Sequence, residues 1–375
     1  MKVRYSNAKI IHRQRIESGE LWCSEGTIIA PQSAADIEID IKGLQIAPGY
    51  IDLHINGMLG YDFTSDPESV AKAASVLPRY GVTGFLPTLI SSTPEQYRKI
   101  IPKIRRKRGG VHGTTILGIH LEGPFLNSQF CGAHRADYFR QFDNQDPFLA
   151  CYGSLEDVKM ATIAPELPNA LLWIHYLTDK GIKVSAGHTN CTSGEFFKGR
   201  EAGLSMATHL YNAMALFHHR SPGVVGAILG DSDQYYSIIA DGIHVHPLAV
   251  KMAWNANPKG LILVSDATSA AGLEDGAQCR LGENKIVVIN RQPYLEGTSV
   301  LAGSAIHLDE AVRRFLQMTG CSISEAVEAV TIKPAYILGL EHQKGLLEEG
   351  YDADFLILDE HLQVKSTFIA GEQAW

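Results

Sequence analysis

Four short apolar runs in this chain each end abruptly at a residue that can bind a metal or move a proton. Ile116-Leu117-Gly118-Ile119-His120-Leu121 runs into Glu122, and Ile182-Lys183-Val184-Ser185-Ala186-Gly187 runs into His188. Leu204-Ser205-Met206-Ala207-Thr208 runs into His209, and Leu261-Ile262-Leu263-Val264-Ser265 into Asp266. A short, nearly continuous apolar run reads as a strand buried on both faces, which is the habit of parallel sheets. Side chains at the C-terminal tips of parallel strands point into a shared mouth. The fold must therefore bring these four polar tips together.

What lies between the runs agrees. Strand-like segments alternate with helical stretches at 67–80, 94–106, 170–180, 193–202, 247–256, 305–319 and 324–338. Alternation over most of the chain predicts an α/β fold with a parallel sheet, doubly wound or closed into a barrel. No GxGxxG follows a first strand, which lowers the dinucleotide-binding version. Chemistry at several different strand ends favours a (β/α)8 TIM-like barrel. Both termini read differently. Ile37-Glu38-Ile39-Asp40-Ile41 near the start and Val364 to Gly371 near the end have the pattern of small antiparallel strands. The expected organisation is a small β-sandwich domain from 1–47 and 346–375, built around a barrel spanning 48–345.

The formal net charge of −8 argues against a nucleic-acid partner, which usually meets a basic face. No stretch approaches the roughly 20 apolar residues that span a bilayer, and Met1–Ile10 lacks the apolar core of a signal peptide. Cys23, Cys131, Cys151, Cys191, Cys279 and Cys321 form no CxxC pair. Scattered thiols in a chain this long predict a reduced, cytoplasmic protein. Cys191 lies near His188 but has no paired base in the sequence, so it reads as packing. The run Lys103-Ile104-Arg105-Arg106-Lys107-Arg108 reads as the solvated end of a helix, where the dipole favours cations. His175 and His246 read as surface or packing groups, and His218 and His219 as loop residues.

Glu122, His188 and His209 offer one oxygen and two nitrogen ligands, the donor set of a catalytic zinc that keeps one position open. Asp266 is placed to take a proton from water and deliver it to a leaving group. The neighbouring strings are more specific: His120-Leu121-Glu122-Gly123-Pro124-Phe125, Ala186-Gly187-His188-Thr189, Thr208-His209-Leu210-Tyr211-Asn212-Ala213-Met214, Asp241-Gly242-Ile243-His244 and Ser265-Asp266-Ala267-Thr268. In this order they resemble the N-acetylglucosamine-6-phosphate deacetylases of the amidohydrolase superfamily. Pro48 to His54, Leu301-Ala302-Gly303-Ser304 and Gly350 to Phe355 match as well, so the resemblance covers almost the whole chain.

The resemblance implies metal-dependent removal of acetate from N-acetyl-D-glucosamine 6-phosphate, a small sugar phosphate. Glu122, His188 and His209 would hold one divalent ion per subunit, zinc first and iron or another ion second. Asp266 would be the base and then the acid, with His134 at the acetamido carbonyl. Ala133, His134, Asn212, Ala213, Arg220, His244, Leu301, Ala302 and Gly303 would surround the substrate, with a homodimer partner completing the pocket. Many superfamily members carry His-x-His on the first barrel strand; this chain has His54-Ile55-Asn56. Asparagine replaces imidazole poorly as a transition-metal ligand, so one ion is expected, with a weak second site near His54 left open. The rival readings are the galactosamine epimer as substrate, another cyclic-amide or deaminating amidohydrolase, and a catalytically silent sugar-phosphate sensor.

Overall fold

The computed structural model describes residues 1–142 and 146–375. Among these, eight parallel barrel strands run in chain order. The first, Tyr50–Ile55, pairs with Val82–Leu89. The third is interrupted at Leu117-Gly118 into Thr115–Ile116 and Ile119–Glu122, both paired to the second. Val158–Ile163, Lys183–Ala186, Leu204–Ala207, Tyr235–Ile238 and Leu261–Leu263 follow, each parallel to its predecessor. The last meets the first at the rim, where Asp266 N–H donates to His54 O (2.9 Å) and Asn56 N–H to Ala267 O (2.7 Å).

The opposite end of that seam closes by another device. The sequence predicts one helix over 324–338; the chain forms two, Ile323–Glu328 and Ile332–Leu338. The break exposes two carbonyls, and they are used. Ala329 O accepts from Leu263 N–H (3.0 Å) and Val330 O from Ile51 N–H (2.7 Å). Barrel closure thus takes backbone groups that a continuous helix would have kept.

On the inward faces of the fourth and sixth strands, polarity rises toward the mouth. Alternate residues share a face, so Met160 and Met206 lie on the faces that also carry Thr162 and Thr208. Met160, Met206, Ile262 and Val264 belong to one apolar cluster. Above it, His120 bonds Thr88 (3.2 Å) and Thr162 (2.8 Å), and Thr162 bonds Thr208 (2.8 Å). Glu122, two residues past His120, stands one layer higher. The other strand face carries Ile119, Leu121, Ile163, Val184 and Ala186, which join Trp173, Ile174 and Leu177 of a helix in the main core.

The two termini meet in one eight-stranded sheet, with Phe355–Leu358 antiparallel to Gln45–Pro48. It encloses its own cluster, including Tyr5, Ile10, Leu21, Phe355 and Phe368. The basic run departs from expectation. The helix Pro94–Ile100 passes into a single 3-10 turn, Ile101–Lys103, and Ile104 is extended. Lys107 then pairs with Ile116 through both backbone groups. A three-stranded sheet not expected from the sequence, Gln278–Leu281, Asn284–Ile289 and Gln292–Leu295, lies between the last barrel strand and the helix Leu308–Thr319. Among the described residues, no helix is long and apolar enough to cross a membrane.

Candidate active site

Three of the four tip residues leave their strands through the left-handed region: φ is 48° at His188, 34° at His209 and 48° at Asp266. Non-glycine residues pay for that conformation, so surrounding contacts must hold it, and such strain clusters at functional sites. The contacts are present. Ser237 Oγ accepts from His209 N–H (2.8 Å), and Glu166 gathers the loop after His188. The Glu166 carboxylate accepts from Asn127 Nδ2 (2.8 Å), Asn190 N–H (2.7 Å) and the Thr189 hydroxyl. Asp266 lies against Gly303, where a Cβ would come within 2.8 Å of the Asp266 carbonyl and 2.5 Å of Thr268 Cγ2.

The tips converge on the Glu122 carboxylate. Its Oε1 lies 3.0 Å from His209 Nε2 and 3.4 Å from His188 Nε2, and these two nitrogens are 3.2 Å apart. His188 Nδ1 donates to Phe130 O (2.8 Å), which leaves the Nε2 lone pair facing inward. Two imidazole nitrogens that close to each other and to one carboxylate oxygen suit a shared divalent cation. Atoms of Glu122, His134 and His188 also lie within 4.8 Å of one another. His134 nevertheless carries its proton on the wrong side for a ligand. Ser91 N–H donates to His134 Nδ1 (3.2 Å) and the Ser91 hydroxyl lies 2.9 Å from it. The remaining nitrogen, Nε2–H, points at Glu122 Oε2 (3.4 Å). His209 Nε2 makes the closer contact to the Glu122 carboxylate, 3.0 Å.

His54 completes the cluster from the first strand. Its Nε2 lies 3.1 Å from both Glu122 Oε2 and Asp266 Oδ1. Burial favours the neutral ring, but Glu122 and Asp266 outweigh it and raise the pKa to about 9. Burial likewise opposes the Glu122 charge, and His54, then the other imidazoles, hold that carboxyl well below its usual range. Asn56 Nδ2 donates to Asp266 Oδ1 (2.7 Å). Oδ1 is occupied by Asn56 and His54, whereas Oδ2 has no protein partner among the described residues.

These groups open into a cavity of about 160 Å³. Of the residues expected around a substrate, Ala133, His134, Asn212, Ala213, His244, Leu301 and Gly303 line it. Ala302 does not; it is fully buried in the apolar cluster beneath the three-stranded sheet. Arg220 lies outside on the exposed loop 216–220, its guanidinium against His219 (3.3 Å). Ile90 and Leu281 also line the cavity. Neither stands out in the sequence, because an apolar residue carries no mark of the site it will face.

Residues 46–374 match the amidohydrolase family profile. The chain is 42% identical over 392 residues to N-acetylglucosamine-6-phosphate deacetylase of Bos taurus, covering 100% of this chain and 95% of that protein. It is 32% identical over 366 residues to N-acetylgalactosamine-6-phosphate deacetylase of Escherichia coli O157:H7, covering 96% and 95%. It is also similar to a solved structure from Mycobacterium smegmatis at 30% identity and a TM-score of 0.88, covering 100% and 99%. That structure is an aspartate-to-alanine mutant of N-acetyl-D-glucosamine-6-phosphate deacetylase in complex with N-acetyl-D-glucosamine-6-phosphate.

Proposed function

We infer the chemistry from membership: this chain belongs to the amidohydrolase family and, within it, to the N-acetylglucosamine-6-phosphate deacetylases. It hydrolyses the acetamido group of N-acetyl-D-glucosamine 6-phosphate to D-glucosamine 6-phosphate and acetate. The observation that carries the mechanism is the convergence of Glu122, His188 and His209 beside an aspartate with one free oxygen.

Glu122, His188 and His209 would hold one divalent ion, zinc by donor type. When bound, such an ion supplies Lewis acidity and lowers the pKa of water toward neutrality. The chain's residues divide the remaining work. Asp266 Oδ2 accepts the proton of the attacking water and later delivers it to the departing amine. Asn56 and His54 hold the other oxygen, so this carboxylate works in one orientation. The His134 Nε2–H reaches the developing oxyanion of the acetyl carbonyl. His54 lies between two carboxylates and stabilises their charge, a role that needs no second ion. Asn212, Ala213, His244, Leu301 and Gly303 face the sugar and its phosphate.

Arg220 suits the phosphate of a neighbouring subunit. Guanidinium matches phosphate oxygens in a planar fork, yet Arg220 lies outside its own cavity. Its loop also exposes Leu216 (86%) and Phe217 (58%). An exposed apolar loop beside a misplaced arginine supports a homodimer in which each copy supplies Arg220 to the other's site. The domain reading is two units, 1–47 with 346–375 and 48–345, supported by the separate apolar cluster of the terminal sheet.

The test is acetate release from N-acetylglucosamine 6-phosphate, N-acetylgalactosamine 6-phosphate and their unphosphorylated forms, with metal content measured on the same sample. Fastest turnover of the phosphorylated gluco epimer is the expected result. No turnover of either phosphorylated sugar by metal-loaded protein overturns the reading.

A further inference from the structure

His244 ends a tight turn beyond the seventh barrel strand, and the turn is organised by Asp241. This carboxylate is buried, with 2% exposure. Oδ1 accepts from the N–H groups of Ile243 (2.9 Å) and His244 (2.8 Å), while Oδ2 accepts from His244 Nδ1 (2.7 Å). The arrangement is braced from behind. Arg314, on the helix Leu308–Thr319, donates to the Asp241 carbonyl and is tied to Glu310 (2.7 Å). His244 lines the cavity, and with Nδ1 committed, Nε2 is the nitrogen that faces it. Among the described residues, Nε2 has no protein hydrogen-bond partner, so the turn presents one aimed, available group.

We propose that Asp241 is a positioning residue that fixes His244 as a cation with Nε2–H directed at the anionic end of the substrate. This rests on the reading that His244 meets the sugar phosphate. The charged groups facing the ring are Asp241 on its own turn and Asp266 at the tip of the eighth strand. Arg314 reaches only the Asp241 carbonyl and leaves the carboxylate to the imidazole. Burial alone would favour a neutral ring; Asp241, then Asp266, outweigh it and raise the His244 pKa. The same pairing holds Asp241 below its usual range although burial opposes it. A histidine whose pKa is raised stays charged above the ordinary imidazole value of about 6.5. In that window the phosphate approaches its dianionic form, with a second pKa of about 6. Asp241 thereby keeps the two opposite charges in register around neutral pH without touching the substrate.

The test compares Asp241→Asn, Asp241→Glu, His244→Gln and the double variant Asp241→Asn/His244→Gln by steady-state kinetics between pH 5.5 and 8.5. N-acetylglucosamine 6-phosphate and unphosphorylated N-acetylglucosamine are the substrates, and metal content is measured on each sample. At pH 8, Asp241→Asn should raise KM for the phosphorylated sugar about tenfold or more, the scale of a lost charge-assisted hydrogen bond. Its kcat should stay within about twofold, like its kcat/KM for the unphosphorylated sugar. The KM ratio to wild type should shrink as pH falls below about 6.5, where an unassisted imidazole regains its proton. Asp241→Glu should recover part of the loss, and the double variant should be no worse than His244→Gln alone. A 15N-detected imidazole spectrum near pH 7.5 should show His244 charged in wild type and neutral in Asp241→Asn; a charged ring in the variant overturns the proposal. So does an unchanged KM, an equal loss with the unphosphorylated sugar, or additivity in the double variant. If His244→Gln itself leaves KM for the phosphorylated sugar unchanged, the underlying reading of His244 fails and takes the proposal with it.

Discussion

At the scale of single residues, the site works by committing one end of each side chain so that the other is free. His188 Nδ1 is spent on the Phe130 carbonyl, His134 Nδ1 on Ser91, and Asp266 Oδ1 on Asn56 and His54. Each commitment selects a tautomer or an oxygen, which residue type alone cannot do. It follows that Asp266→Asn should keep the metal and substrate affinity and lose about 10²–10⁴-fold in kcat, the usual worth of a positioned acid–base group. Metal analysis with steady-state kinetics checks this, and near-normal turnover removes Asp266 from its role. His134→Gln should lower kcat by about 10²–10³-fold with little change in metal content, as expected for a lost oxyanion donor. A parallel loss of metal would make His134 a ligand after all. The tip residues were legible in the sequence because each interrupts an apolar run. Ser91 and Asn56 were not, because a hydroxyl or an amide acquires its role only from the partner it meets.

Among secondary-structure elements, precision comes from the loops that leave the strand tips. The loop after His188 is pinned by Glu166 through Asn127, Thr189 and Asn190. Glu166→Ala should release that loop and weaken divalent-ion affinity by about 10–100-fold, typical of a lost supporting shell. Competition with a chelator measures it, and unchanged affinity would show that the barrel alone orients His188. Helices are legible in the sequence where local signals define their ends. The helix Pro247–Ala256 has the expected bounds, with proline at its first position. The helix Ser193–Glu201 starts at a capping box made by Thr192 and Glu195. The stretch 324–338 reads as one helix because its break at Ala329-Val330 answers to Ile51 and Leu263, far away in the chain. Periodicity contains no trace of such a demand.

For the whole molecule, the decisive question is whether one chain holds a complete site. The cavity collects residues from most barrel strands but leaves Arg220 outside. If Arg220 serves a partner, two crippled proteins should rescue one another. Asp266→Asn and Arg220→Ala homodimers should both turn over poorly, whereas co-refolded mixtures should regain up to about one quarter of wild-type activity. That fraction follows because half the molecules are mixed and one of their two sites combines an intact Asp266 with an intact Arg220. No recovery, despite exchange seen by native mass spectrometry, would place Arg220 in its own site or in none. The sequence by itself determined the strand-and-helix alternation, the polar tips and the donor types, because these depend on neighbours along the chain. Tertiary structure alone decided which tips touch, which nitrogen faces inward and which residue lies outside. Asn56 and Asp266 are 210 positions apart, and their 2.7 Å contact exists only once the ring of strands has closed.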